Sequence, residues 1–150
     1  MDCHSLFFDA ASKWKPGLSG VGGVIFYPGG TNKRYFAWGL GRSTNNQAEW
    51  PALLKGLEIA ITLEIQDLVV FDDLLLVIRE ARKLAKNYKR PSNKLHHIFN
   101  SLIGEFNAVH FLHILRSNNQ SADQVANIGV QLDYGFMICN GNNPEHCWVP

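Results

Sequence analysis

Five short apolar runs, each bounded by turn-forming residues, predict five β-strands. The runs SLFFDAAS, GVGGVIFYPGG and KRYFAWGLG come first along the chain. The Pro-Gly-Gly turn after the second run predicts an antiparallel hairpin between the second and third strands. The runs QDLVVFD and AVHFLHILR follow further along, so the last two strands are separated from the hairpin and from each other.

Four segments with helical spacing lie between and after these strands. The first begins at a capping box, in which the Thr44 side chain accepts a free amide and Gln47 reaches back. Its apolar positions recur at helical intervals, at Leu53, Leu54, Leu57, Ile61 and Ile65. The other helices are predicted over residues 75–86, 92–106 and 118–132, and Pro91 separates the second from the third.

The predicted order of elements is therefore βββ-α-β-α-α-β-α. Hairpin-linked strands followed by helical crossovers predict an α/β domain, with a mixed five-stranded sheet and helices on both faces. This domain spans residues 1–133. Residues 134–150 are rich in turn formers, CNGNNPEHCWVP, and are predicted to be a loose C-terminal tail.

The composition indicates a globular protein but does not identify a binding partner. The chain has 150 residues, 46% of them apolar and 18% charged, which is typical of one globular domain. Its net charge of +1 neither requires nor excludes a nucleic acid. Three cysteines at wide spacing favour a reducing compartment. Without a signal-like leader or a membrane-length apolar run, we expect a cytoplasmic or nuclear protein that is not secreted and has no membrane partner.

Acidic residues fall at the edges of four predicted elements. Asp9 lies in the first strand, Glu49 early in the first helix, Asp73 after the fourth strand and Asp123 at the start of the last helix. The ends of parallel strands share one rim of a sheet, where gathered carboxylates would repel each other unless cations were present. Oxygen ligands suit Mg²⁺ or Mn²⁺, and two such ions serve phosphodiester hydrolysis. Spacing alone equally fits unrelated acidic residues at element ends.

Longer sequence blocks favour a metal-binding site over unrelated acidic residues. FFDAASKWKPGLSGVGGVI, STNNQAEW with ALLKGLEIA, VVFDDLLLVI and HILRSNNQSADQVAN occur along residues 6–132. In order and spacing they resemble the type 1 ribonuclease H family. The resemblance is closest to the ribonuclease H domains of plant retrotransposon polyproteins and to their archaeal-like relatives, which belong to the reverse-transcriptase-like group.

The resemblance implies an enzyme that cuts the RNA strand of RNA–DNA hybrids, a ribonuclease H with two Mg²⁺ ions, which Mn²⁺ may replace. Asp9, Glu49, Asp73 and Asp123 match the catalytic, metal-binding acids. Four further positions match substrate contacts in the minor groove and at a DNA phosphate: Arg42, Thr44, Asn45 and Asn46. Arg116 matches an arginine that assists product release in archaeal-like relatives. Besides the hybrid, the resemblance implies reverse transcriptase or other polyprotein domains as partners of a monomeric domain.

Three positions depart from the family pattern. Asp72 stands where the family usually has Gly, and we interpret it as an outer-shell or solvated charge. Leu74 replaces a Ser that would cap the second helix. Pro51 falls in the second turn of the first helix, where a kink or a later helix start would shift Glu49. These departures leave open a catalytically decayed domain that binds nucleic acid or a partner without turnover.

The sequence leaves open an alternative class of nuclease and two interpretations of a basic segment. A DNA-cutting, integrase-like nuclease would share the fold, but Glu49 and the Asn45–Asn46 pair argue against it. Residues 82–94, RKLAKNYKRPSNK, contain six basic residues and no acid. They fit a phosphate-contacting ridge as well as a solvated helix end whose cations the helix dipole favours.

Overall fold

Six strands form one mixed sheet within residues 3–13, 17–43, 45–87, 89–135 and 137–140, which this computed structural model describes. The strands are β1 (His4–Lys13), β2 (Gly17–Phe26), β3 (Lys33–Ser43), β4 (Asp67–Asp72), β5 (Ala108–His113) and β6 (Met137–Asn140). Their order across the sheet is β5-β4-β1-β2-β3-β6. The predicted α/β class and the five predicted strands are confirmed.

Four α-helices and one short 3₁₀ turn complete the described chain, in the predicted order. They are α1 (Asn45–Thr62), α2 (Leu75–Ala85), α3 (Lys94–Ile103), the 3₁₀ turn Arg116–Asn118 and α4 (Gln120–Val130). The third and fourth helices begin two residues later than predicted. At α3 the Asn93 side chain accepts the His96 amide at 2.9 Å, so this N-cap sets the start.

The sixth strand lies in the segment that the sequence pattern assigned to a loose tail. Gly135 adopts a φ of +84°, which favours glycine, and its amide donates to the Gly39 carbonyl at 3.0 Å. This turn brings β6 alongside β3 in antiparallel register. A four-residue strand carries too little alternation to be recognised from sequence, so the tail prediction is wrong for β6. Residues 141–150 lie outside the described part of the chain.

The sheet topology places three strand ends at one rim. β1 pairs in parallel with β4, and β4 pairs in parallel with β5, whereas β1 and β2 run antiparallel. The carboxyl ends of β1, β4 and β5 therefore lie side by side. Such a rim, where the connections to helices leave the sheet, is the usual place for a functional site in an α/β protein.

Each face of the sheet is covered by a different set of helices. Leu6 and Phe8 of β1 belong to the main core together with Leu53 and Leu57 of α1, and all four are fully buried. On the other face, Ala11 packs with Ala126 and Val130 of α4. Alternation along β1 thus directs neighbouring side chains to two separate cores, as the predicted helices on both faces require.

Close packing of α4 against β2 depends on glycine. A Cβ atom at Gly22 would lie 2.2 Å from the Ala126 amide nitrogen, closer than any real contact allows. Gly22 also lies directly opposite Asp9 in the β1–β2 register. The missing side chain therefore lets the middle of α4 approach β2, the neighbour of the strand that carries Asp9.

The first helix runs without interruption from Asn45 to Thr62 and includes Pro51. The alternative of a start one turn later is therefore wrong. Proline lacks an amide, so the Gln47 carbonyl loses its helical partner, but the helix continues on both sides.

No helix within the described residues combines the length and the apolar character that crossing a membrane requires.

We expect Gly22→Ala to lower the free energy of unfolding by about 1–3 kcal/mol, because the added methyl forces α4 away from β2. Urea unfolding followed by circular dichroism measures this change. Gly104→Ala is the matched control, since Gly104 has a helical φ of −64° and its added Cβ would meet nothing closer than 3.5 Å. A Gly22→Ala variant as stable as Gly104→Ala would contradict the tight packing of α4.

Candidate metal centre

Four carboxyl groups meet at the rim formed by the carboxyl ends of β1 and β4. Asp9 comes from β1, Asp72 ends β4, Asp73 follows it, and Glu49 projects from the second turn of α1. Each group offers one oxygen, and these four oxygens all lie within 4.8 Å of one another. Three of the four acids predicted from the sequence, Asp9, Glu49 and Asp73, are thus brought together. We call Asp9, Glu49, Asp72 and Asp73 the carboxylate cluster.

Asp123, the fourth predicted acid, adjoins the carboxylate cluster rather than joining its tightest group. It lies half-buried in the first turn of α4, close enough to Asp9 to raise the pKa of that carboxyl group. The structure therefore brings all four predicted acids to one place, with Asp123 on the side that α4 covers.

The interpretation of Asp72 as a solvated charge is wrong, because this residue is 0% exposed. Its side chain follows Leu68 and Val70 on the buried face of β4, and the Leu74 amide donates to its Oδ2 at 3.3 Å. The alternation of β4 was the signal that could have found it, because every second residue from Leu68 onward points into the core.

The carboxylate cluster holds protons unusually tightly. Burial, followed by the charge of Asp73, raises the pKa of Asp9 to about 7. Burial and the neighbouring Asp72 raise the pKa of Glu49 to about 11. Burial and the charge of Asp73 raise the pKa of Asp72 to about 8. Without a cation, part of the cluster therefore stays protonated at neutral pH, because several adjacent charges cannot be tolerated away from water.

These residues fit a divalent cation. Glu49 is 5% exposed and its Oε2 has no hydrogen-bond partner, and the same is true of Oδ1 in the fully buried Asp72. Unpartnered buried oxygens are costly unless something positive satisfies them. An all-oxygen ligand set suits hard ions such as Mg²⁺ or Mn²⁺.

The outer edge of the centre carries positive and neutral groups. Burial raises the pKa of the half-buried Asp73, while the positive charge of Arg116 opposes this rise. Arg116 itself is exposed, in the 3₁₀ turn before α4. The His113 Nε2 atom lies 3.1 Å from the Asp73 carbonyl oxygen, which ties the end of β5 to the turn after β4.

A buried amide, Asn119, was missed by sequence reasoning. It precedes α4, is 1% exposed, and its side-chain nitrogen donates to the Phe8 carbonyl at 2.9 Å. Phe8 immediately precedes Asp9, so this bond fixes the start of α4 beside the strand that carries the first acid. An asparagine in a cap-rich loop gave no sign of this long-range contact.

The predicted substrate-contacting residues flank the start of α1. Arg42 is exposed near the end of β3, opposite Leu18. Thr44 lies outside the described residues. Asn45 and Asn46 form the first two positions of α1, and their side chains are also outside the described part of the structure.

Comparison with known proteins yields one family. Residues 7–129 match the family described as reverse transcriptase-like. Ribonuclease HI of Halobacterium salinarum is 30% identical over 129 residues, which cover 81% of this chain and 61% of that protein. The chain therefore spans less than two thirds of the length of this curated relative.

Two solved structures show the same fold. The N-terminal ribonuclease H domain of a Mycobacterium tuberculosis protein, solved as a fusion with maltose-binding protein, matches with a TM-score of 0.74 and 26% identity. The match covers 85% of this chain and 92% of that one. LC11-RNase H1, solved in complex with an RNA/DNA hybrid, matches with a TM-score of 0.67 and 25% identity, covering 85% and 96% of the two chains.

Without metal, the stability of this protein should fall as pH rises from about 4 to about 8. The folded-state pKa values of Asp9 and Asp72, about 7 and about 8, lie above the unfolded value of 3.8. Folding thus favours the protonated groups, so this stability is fully present below the unfolded pKa and is lost as pH rises through the folded values.

Mg²⁺ should raise the melting temperature more at about pH 8 than at about pH 5, because the cation competes with protons for the same oxygens. Thermal unfolding in EDTA and in Mg²⁺ at both pH values measures this difference. An equal effect of Mg²⁺ at the two pH values would show that the cation does not bind the carboxylate cluster.

Proposed function

Since the chain belongs to the reverse transcriptase-like family and has the type 1 ribonuclease H fold, we propose that it hydrolyses the RNA strand of RNA–DNA hybrids. The observation that carries this proposal is the carboxylate cluster at the rim of the sheet. Its members include three of the four positions that match the catalytic acids of the family, and the fourth, Asp123, contacts Asp9.

We propose that Asp9, Glu49, Asp73 and Asp123 hold two Mg²⁺ ions, with Mn²⁺ as a substitute. When bound, such ions activate the attacking water and stabilise the charge on the leaving oxygen. The protein supplies fixed, nearly water-free oxygens, which the buried Asp9 and Glu49 provide. The products would be RNA fragments with 5′-phosphate and 3′-hydroxyl ends.

Recognition of the hybrid falls to residues beside the start of α1. In this proposal Arg42 and Thr44 grip a phosphate of the DNA strand, while Asn45 and Asn46 read bases and sugars in the minor groove. Amide side chains donate and accept hydrogen bonds at once, as contact with a 2′-hydroxyl requires. The support is the position of Arg42, exposed at the end of the strand that leads into α1.

The basic segment 82–94 provides a second surface for the hybrid. Two of its charges are engaged within the protein, since Arg82 donates to the Phe111 carbonyl at 2.7 Å and Lys89 pairs with Glu80 at 2.6 Å. Lys83 lies in the last turn of α2 and Lys86 directly follows the helix, and both are exposed, so they can contact phosphates.

Arg116 suits a role in product release. It is exposed at the outer edge of the centre, where its charge acts on Asp73. An arginine there attracts the new 5′-phosphate away from the cations.

We further propose that the domain derives from a retroelement and works in the cytoplasm or nucleus. Reverse transcriptase or another polyprotein domain would be its partner, and the domain itself would be monomeric. The support for this origin is the resemblance of the sequence blocks to plant retrotransposon domains.

In Mg²⁺, the wild-type chain should cut a labelled RNA–DNA hybrid, and Asp9→Asn should cut it at least about a hundredfold more slowly, because removing one carboxylate ligand forfeits several kcal/mol of transition-state stabilisation. Denaturing gel electrophoresis of the RNA strand measures both rates. Asp67→Asn is the matched control, since it removes the same charge from an exposed position at the opposite end of β4. Equal cleavage by wild type and Asp9→Asn would refute the proposal, and cutting of duplex DNA instead would favour the integrase-like alternative.

Pro51→Ala should stabilise the protein by about 1–3 kcal/mol, because it restores an amide donor to the Gln47 carbonyl within α1. Cleavage should change by less than about threefold, since Glu49 already lies in the carboxylate cluster. Urea unfolding and the hybrid assay give the two values. Activity that appears only after this substitution would instead support a decayed enzyme.

A further inference from the structure

We infer that Asp72 is a metal ligand of this centre, so that the centre contains one carboxylate more than the four of the family pattern. This inference rests on the proposed function and extends it, because it assigns a ligand at a position where the resembling domains usually have Gly. It also replaces the sequence-based interpretation of Asp72 as an outer-shell or solvated charge.

The position of Asp72 is the first argument. It is the last residue of β4, and its side chain points to the same buried face as Leu68 and Val70. Leu68 and Val70 belong to the same core as residues of α1, the helix that carries Glu49. One oxygen of Asp72 lies within 4.8 Å of an oxygen from each of Asp9, Glu49 and Asp73. Oxygens on opposite sides of one Mg²⁺ ion are about 4.2 Å apart, so little movement is needed for shared coordination.

Unsatisfied bonding is the second and independent argument. The Asp72 side chain is 0% exposed, and its Oδ2 is already held by the Leu74 amide at 3.3 Å. Its Oδ1 has no hydrogen-bond partner, and neither has Oε2 of Glu49. Two buried carboxyl groups from different elements thus each have one unpartnered oxygen. A single cation between them would satisfy both.

The remaining contact points the same way. Carboxyl oxygens of Glu49 and Asp72 lie within 4.8 Å of each other, so like charges face each other when both groups are deprotonated. A divalent cation offsets this repulsion, because it binds the deprotonated oxygens of both groups at once.

An extra carboxylate has a definite consequence for metal binding. Affinity for hard cations rises with the number of charged ligands in the site. At its higher-affinity site, the wild-type chain should therefore bind a divalent cation more strongly than the Asp72→Gly variant does. If Asp72 acted only by orienting Glu49 through a hydrogen bond, Asn would replace it without loss of affinity, because an amide side chain can form such a bond.

Calorimetric titration of the full chain with Mn²⁺, and separately with Mg²⁺, tests the inference in the absence of nucleic acid. Asp72→Asn and Asp72→Gly should both weaken the tighter Mn²⁺ site by about tenfold or more. Asp67→Asn, at the exposed end of the same strand, should leave the affinity within about twofold of wild type. Thermal unfolding adds a readout that a purely structural role would not give. The increase in melting temperature on adding Mg²⁺ should be smaller in Asp72→Asn than in wild type, because the variant has one carboxylate ligand fewer.

Wild-type affinity in Asp72→Asn would overturn the inference, whatever the effect of Asp72→Gly. So would a wild-type chain that binds no Mn²⁺. The hybrid assay separates this result from the proposed function. Metal affinity that depends on Asp72 without hybrid cleavage would leave the ligand assignment standing and refute the activity. Cleavage by the wild type together with unchanged Mn²⁺ binding by Asp72→Asn would do the reverse.

Discussion

The mutual repulsion of carboxyl groups buried at one rim of the sheet is the constraint on which the rest of this structure depends. Asp9, Glu49 and Asp72 are at most 5% exposed, and Asp73 lies beside them. Gathering these carboxylates away from water destabilises the folded domain unless a cation or a proton lies between them. The metal-free protein meets this constraint with protons, as the raised pKa values of all four groups show. A divalent cation offsets the repulsion better, because one ion neutralises two charges and is coordinated by several oxygens at once.

The scaffold holds these groups together through contacts that are not themselves acidic. Parallel pairing of β1 with β4 sets the ends of the two strands side by side. Gly22, opposite Asp9, lets α4 come close, and the Asn119 amide fixes the start of α4 to the Phe8 carbonyl. The cluster is therefore imposed by packing on both faces of the sheet. Its repulsion is offset by the hydrophobic cores under α1 and α4.

The departures from the family pattern acquire different meanings in the folded chain. Leu74 provides no side-chain cap for α2, and its own amide donates to Asp72 Oδ2. Pro51 lies inside a continuous helix whose Glu49 reaches the carboxylate cluster. The positive groups stay outside, with Arg116 exposed at the edge beside Asp73. Negative charge inside and positive charge at the edge is the arrangement that a cation-dependent enzyme acting on a polyanion needs.

The sequence by itself determined the order of elements, the α/β class and the four acids that belong to one rim. Those features rest on local periodicity, on turn residues and on motif blocks that survive without tertiary information. Strand β6 could not be predicted from the sequence, because residues 137–140 show no periodic pattern and form a strand only where β3 offers a free edge. The role of Asp72 was also decided by tertiary structure. Whether a carboxylate at a strand end meets water or Glu49 depends on how the helices pack on the sheet, which is a property of the folded chain rather than of the neighbouring residues in the sequence.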